Sequence, residues 1–440
     1  MATADQPEPT TLTIVDPGAL SRSNGGLEAV APTDGPADGG PPFTLSEQIR
    51  IARAFEALRE ASDRDGAFGV ADDRLASLIQ AEIAEHPERY LAQTVPFERQ
   101  ATDGPHYQEA KFDHSDPGWY RALVPWLRSA LKRPARDDRP PCHADPAPIP
   151  PDAKLALFGD WGTGDAAAVA VSDRITHHGD YDVAVHLGDT YYVGSEKEIR
   201  GNLVAHLPRP KAGGLVRLCS SNHEMYSGGK PFYDIALPAV GQESTVFALQ
   251  NDDWLFLGLD TGFKDGRIDD EQQAWLAQAV AAAGTRRLVL LCHHNPWSTG
   301  ERADPDLVED LAPAFAHGVT AWYWGHVHAC ELYEPTAVGS GATTAMHGRC
   351  IGHGGFPYRR LAVPQPPTIT TDKAGTTLHT VAGAGERPTA LVLDGPNEHR
   401  GDEWQDLGPN GFLRLELRGR GLVEVLYAPD GTELWRGTIA

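Results

Sequence analysis

The chain has 440 residues, 41% of them hydrophobic, and a formal net charge of −23 from 61 acidic and 38 basic side chains. That length exceeds what one hydrophobic core usually supports, and the apolar share is too high for a wholly disordered protein. The acidic balance disfavours nucleic acid and anionic membranes as partners, because binding phosphate backbones needs clustered Lys and Arg.

No apolar run reaches the roughly 18 residues of a membrane span. Met1–Thr10 has neither the basic nor the apolar region of a secretory signal. The five cysteines (Cys142, Cys219, Cys292, Cys330 and Cys350) are scattered, odd in number and without a CxxC pair. This argues against a disulfide scaffold and makes a reducing cytoplasm the expected location.

Residues 1–42 hold seven Pro, six Gly and six acids, with Arg22 as the sole base and no periodicity, so a disordered tail is expected there. Thr44-Leu45-Ser46-Glu47 has the spacing of a capping box. Leu45, Ile49, Ala52, Phe55 and Leu58 follow at helical spacing. Leu75, Leu78, Ile79 and Ile83 form a second amphipathic stretch that Pro87 would end, and a third apolar cluster spans Trp119 to Leu131. A small helical accessory region is therefore expected over 43–131. Seven prolines between Pro134 and Pro151 predict an extended linker over 132–153, leaving 154–440 as the main domain.

From Lys154 short apolar runs alternate with helical patterns: Leu155–Phe158, Val183–Leu187, Leu215–Cys219, Trp254–Leu259, Leu288–Cys292 and Val319–Trp324. Helices are expected at Ala166–Ile175 and Asp270–Ala283. Such alternation predicts an α/β sheet. Short strands follow, as in Leu413–Leu417 and Leu422–Tyr427, with a hairpin turn expected at Asp430-Gly431.

Five of these strands end in polar clusters rich in metal-binding atoms: Gly159-Asp160-Trp161-Gly162, Gly188-Asp189-Thr190-Tyr191-Tyr192, Ser221-Asn222-His223-Glu224, His293-His294-Asn295-Pro296 and Gly325-His326-Val327-His328. Ligands of open α/β sheets bind outside the carboxyl ends of strands, so the clusters can converge. The glycines before Asp160, Asp189 and His326 would let the backbone turn sharply. Carboxylates mixed with imidazoles suit iron, zinc or manganese. Taken alone, Asp160 reads equally well as a helix N-cap, and each motif is weak. The ordered set is what points to a metal site.

The series GD, GD-x-x-Y, NHE, H-x-P and GHVH resembles the calcineurin-like metallophosphoesterases, in particular their purple acid phosphatase branch, over roughly 154–330. The resemblance implies a four-layer α/β/β/α sandwich of two mixed sheets. It implies two metal ions, iron paired with iron, zinc or manganese. Asp160, Asp189, Tyr192 and His328 would hold the first ion. Asp189 would bridge to a second, completed by Asn222, His294 and His326. His223 would stabilise or protonate the leaving group. In this sequence Gly162 stands where many relatives have His, as in the purple branch, and Ser221 replaces the usual Gly. His294 is chosen over His293 because it stands two residues before Pro296; His293 is then a candidate phosphate or leaving-group contact.

Other groups receive bland readings. His177-His178 suit a helix C-terminus, and Cys292 and Cys330 suit packing. Asp260-Thr261 ends a strand but finds the ligand set already filled. Gly352-His353-Gly354-Gly355 with Arg349 could cradle phosphate, yet Gly-rich loops are common. Neither GxSxG nor a P-loop is present. The resemblance implies hydrolysis of a phosphoric monoester, a small-molecule substrate, by in-line attack of a metal-bound hydroxide. A phosphodiester (a cyclic nucleotide or glycerophosphodiester) is the alternative on the same core, and a regulatory metal-binding module is a further one.

Overall fold

The computed structural model describes residues 139–299, 304–339, 344–360, 366–399 and 407–439. The expected tail over 1–42, the expected helical region over 43–131 and the first part of the expected linker lie outside these residues.

Arg139 is already buried, donating to Asp269 at 2.7 Å and Glu271 at 3.1 Å. Strand β1 (Pro146–Pro148) then pairs in parallel with β5 (Phe247–Gln250) at one edge of the larger sheet. The proline-rich stretch expected to be linker is thus partly sheet. An edge permits this, because a proline there need give up no ladder amide.

The smaller sheet has six strands in the order β16 (Glu433–Ile439), β15 (Gly421–Tyr427), β14 (Phe412–Arg418), β2 (Lys154–Phe158), β3 (Val183–His186) and β4 (Leu215–Leu218). β2, β3 and β4 are parallel, whereas β14, β15 and β16 run antiparallel. The larger sheet begins β1, β5, β6 (Trp254–Gly258), β7 (Arg287–Leu291), β8 (Val319–Trp324). It continues through β10 (His347–Ile351), β9 (Cys330–Tyr333), β13 (Ala390–Asp394), β12 (Thr377–Val381) and β11 (Ile369–Thr370). Here β6, β7, β8 and β10 are mutually parallel. All six strands expected from the apolar runs are present to within a residue at either end, and Gly431 (φ 92) turns β15 into β16.

Helix α1 (Ala166–His178) starts where Asp165 accepts the Ala166 amide and stops at left-handed Gly179, with His177 and His178 in its last turn. The other helices that matter here are α2 (Asn222–Met225), α3 (Asp270–Ala281), α4 (Pro305–Asp310) and α5 (Ala312–His317). No described helix is long and apolar enough to cross a membrane.

Period-two alternation sorts the strand side chains into layers. Leu155, Leu157, Val183 and Val185 pack between the sheets with Phe256, Val289, Leu291 and Tyr323. Their neighbours Ala156, Phe158 and Ala184 pack outward with Val171 and Ile175 of α1. On the far side Leu255, Leu257, Leu288 and Leu290 pack with Trp275 and Leu276 of α3 and Phe315 of α5. The result is the expected four-layer α/β/β/α sandwich of two mixed sheets. Each fully buried aliphatic contributes roughly 1.5–3 kcal/mol. A one-residue slip would turn every such side chain to the wrong layer.

One buried ion pair crosses the apolar middle. Arg349 on β10 donates to Glu424 on β15 at 2.9 and 3.0 Å, and the Tyr323 hydroxyl donates to the same carboxylate at 2.9 Å. That guanidinium is therefore committed to joining the sheets rather than to a phosphate cradle.

Candidate metal centre

Asp160 follows β2, Asp189 follows β3 and Asn222 opens α2 after β4; His293 and His294 follow β7, and His326 and His328 follow β8. Parallel pairing brings the ends of β2–β4 to one edge of the smaller sheet and those of β6–β8 to one edge of the larger. Hydrogen bonds join the two edges. The His326 amide donates to Asp160 Oδ2 at 2.9 Å, and His293 Nδ1 lies 3.0 Å from the Leu187 carbonyl.

Three of the expected ligands adopt left-handed backbone: Asp160 (φ 53), Asp189 (φ 80) and His326 (φ 67). Such conformations cost non-glycine residues about 1–3 kcal/mol and cluster at functional sites. The sharp turn is thus made by the ligand candidates themselves. The preceding glycines supply closeness: a Cβ at Gly188 would lie 2.6 Å from His293 Nδ1, and one at Gly325 would lie 2.6 Å from Asp160 Oδ2. Asp160 does not cap a helix; Asp165 does.

Around Asp160 and Asp189 the central group is Tyr191. Its hydroxyl lies 2.5 Å from Asp189 Oδ2, 3.2 Å from Asp160 Oδ1 and 2.9 Å from His328 Nε2. Sequence spacing assigned this place to Tyr192. Tyr192 instead faces His223 with its carbonyl, 2.6 Å from His223 Nδ1, while its amide donates to Glu198 at 2.7 Å. Asn202 holds the Tyr191 carbonyl at 2.8 Å. His223 is fully buried, with Nε2 3.9 Å from Asp189 Oδ2. Asn222 donates Nδ2 to the Tyr226 hydroxyl at 2.9 Å, so its metal-binding atom would be Oδ1. Ser221 does more than fill the place of a glycine. Its Oγ accepts the Asp189 amide at 3.1 Å and donates to Glu224, whose carboxylate also accepts the Ser221 amide. Burial, then Asp189, raises the Glu224 pKa.

The second group gathers on the larger sheet. His294 Nδ1 meets Thr261 Oγ1 at 2.9 Å, and the His294 amide donates to the same oxygen at 3.2 Å. This turns His294 Nε2 outward, 3.6 Å from Asp265 Oδ1. His293 Nδ1 must be the donor to the Leu187 carbonyl, so Nε2 faces His326 Nδ1 and Asp189 Oδ1, each at 3.1 Å. Burial holds His293 well below the ordinary imidazole pKa against the pull of Asp189, with His326 and His294 lowering it further. The chain bends over His326 and His328, and each of these two histidines joins a different group.

Asp160, Asp189 and His328 place ligand atoms within 4.8 Å of one another, as do His294, Asp304 and His326. The donor chemistry fits cations: one phenolic proton cannot serve two carboxylates at once, whereas a cation can. Thiolate chemistry does not fit. All five cysteines are buried and free, and burial pushes Cys292 up to about 12. His353 is fully buried, lowered to about 3 by burial, and packs against Gly411.

With this geometry, residues 153–330 match the calcineurin-like phosphoesterase family. This segment is a calcineurin-like phosphoesterase domain. The chain is similar to the solved structure of a purple acid phosphatase from yellow lupin (Lupinus luteus) seeds, at 16% identity and a TM-score of 0.43 over 68% of this chain. It spans 55% of the lupin protein's length. It is also similar to the anchor of the inner membrane complex of Plasmodium, at 12% identity and a TM-score of 0.45, covering 66% of this chain and 88% of that one. No curated protein matches the sequence.

Tyr191, Thr261, Ser221 and Asp304 were not assigned from the sequence. Thr261 carried the strand-end signal but was set aside as surplus, Tyr191 lost to its neighbour on spacing, and Asp304 lies beyond every strand-end cluster. The phosphoesterase domain should depend on the Thr261 hydroxyl for metal retention. Thr261→Val should weaken binding by about 10–100-fold while leaving the metal-free melting midpoint close to wild type. Chelator competition reads the affinity, and an unchanged value would deny Thr261 any orienting role.

Proposed function

We propose that this chain hydrolyses phosphoric monoesters at a dinuclear centre, with a small-molecule phosphate ester as substrate. The observation that carries the reading is the pair of adjacent donor groups, Asp160–Asp189–His328 and His294–Asp304–His326. Asp189 faces both: its Oδ2 meets Tyr191 and its Oδ1 meets His293 beside His326. Asp160, Asp189, Tyr191 and His328 would hold one ion. Asn222, His294 and His326 would hold the other, with Asp189 between them. Iron paired with iron, zinc or manganese suits this mixture of oxygen and imidazole donors. A bound cation pair supplies charge neutralisation for phosphoryl oxygens and acidifies bound water.

The chain's own groups orient and exclude water. His223 Nδ1 is committed to the Tyr192 carbonyl, so a proton destined for the leaving oxygen would leave from Nε2, the nitrogen turned toward Asp189. Thr261 and Leu187 set the rings of His294 and His293 from behind.

Protein stripped of metal and reloaded should hydrolyse a monoester faster than the matching diester. Turnover in metal-free protein would sink the metal mechanism, and a diester preference would sink the monoester assignment. His223→Asn should lower kcat about 10²–10⁴-fold with a poor leaving group, and less with nitrophenolate, which needs less protonation. Equal losses on both substrates would leave His223 only a positioning role.

If Tyr191 binds ferric ion, the metal must displace a phenolic proton of pKa about 10, and phenolate-to-iron charge transfer should colour the oxidised, iron-loaded protein violet. Tyr191→Phe should bleach it and Tyr192→Phe should not. The reverse pattern at full iron occupancy would return the ligand to Tyr192.

A further inference from the structure

We propose that Asp304 is a carboxylate ligand of the ion held by His294 and His326, contributed from outside the five strand-end clusters. The inference rests on the dinuclear reading above and adds a donor to it. A carboxylate oxygen of Asp304 and ring nitrogens of His294 and His326 lie within 4.8 Å of one another. The histidines are oriented for this by other bonds: His294 Nδ1 is taken by Thr261, and His326 Nδ1 by His293. His294 is thereby left with Nε2 as its metal-binding atom.

Asp304 is seated rather than swinging. Its amide donates to the Asn295 carbonyl at 3.0 Å, two residues before the Trp297 that packs in the core. On the other side Gly266 (φ +80) approaches so closely that a Cβ there would lie 2.7 Å from the Asp304 carboxyl carbon. Asp304 occupies the N-cap position of α4, where an aspartate usually accepts a backbone amide of the first turn. Its side chain makes no such bond. The carboxylate is directed to the histidines instead. Asp265 Oδ1 also lies near His294 Nε2, at 3.6 Å, but its side chain is 70% exposed. Asp265 therefore contributes field rather than a bond.

The test titrates metal-free full-length protein with Mn2+ by calorimetry. Wild type should bind two ions. Asp304→Asn should keep one at wild-type strength and bind the second at least about tenfold more weakly, the loss already typical of groups one shell further out. Asp304→Ser, which also suits a helix start, should repeat that loss, and both variants should melt with wild type when metal-free. Asp265→Asn should change the second affinity much less. Two unchanged affinities in both Asp304 variants would overturn ligation, as would an equal loss in Asp265→Asn, which would reduce the effect to charge. Wild type binding fewer than two ions would instead bring down the dinuclear reading, and this ligand with it.

Discussion

Two buried carboxylates, Asp160 and Asp189, share the hydroxyl of Tyr191, and much of the surrounding architecture serves to hold them there. A carboxylate taken out of water costs several kcal/mol unless it is compensated. Some compensation is built in, as amides and hydroxyls: the His326 amide on Asp160, and Tyr191 on both. The rest is the kind of charge a metal ion supplies. The left-handed backbone at both aspartates and at His326 is a further cost, and it buys the short approach between strand ends that the carboxylates need.

Neither sheet owns this centre. The smaller sheet contributes the aspartates, Tyr191 and α2; the larger contributes every histidine except His223. Residues beyond the family match complete it. β14 pairs with β2, the strand that leads to Asp160, and β10 lies beside β8, which leads to His326. The Gly354 and Phe356 amides bind the carbonyls of Gly159 and Asp160. Since the sheets meet mainly through apolar side chains, with the Arg349–Glu424 pair among them and hydrogen bonds at the strand ends, their relative position is set largely by core packing. The site inherits that precision.

A common pattern runs through four polar side chains of the centre. Each is gripped from behind, so that one defined atom faces inward: His223 by the Tyr192 carbonyl, His293 by Leu187, His294 by Thr261, Asn222 by Tyr226. Such outer contacts choose the tautomer and fix the ring, which tunes what a ligand can do.

The amino-acid sequence by itself marked eight of the strands and the strand-end clusters, because apolar runs and polar punctuation are local properties, whereas the four-layer sandwich was implied by the family resemblance. Arg349 shows the limit of local reading: beside a Gly-rich loop it suggested phosphate, yet its partner Glu424 is 75 residues away in sequence. The same limit explains the proline-rich segment, whose edge pairing with β5 depends on a strand about a hundred residues later. Within the centre, spacing favoured Tyr192, whereas bonds from Asn202 and Glu198 present the hydroxyl of Tyr191. Thr261 and Asp304 became visible only where β6, β7 and the start of α4 come together. Which atoms can meet a metal ion depends on side chains pressed together from distant parts of the chain, and that was decided by the tertiary structure alone.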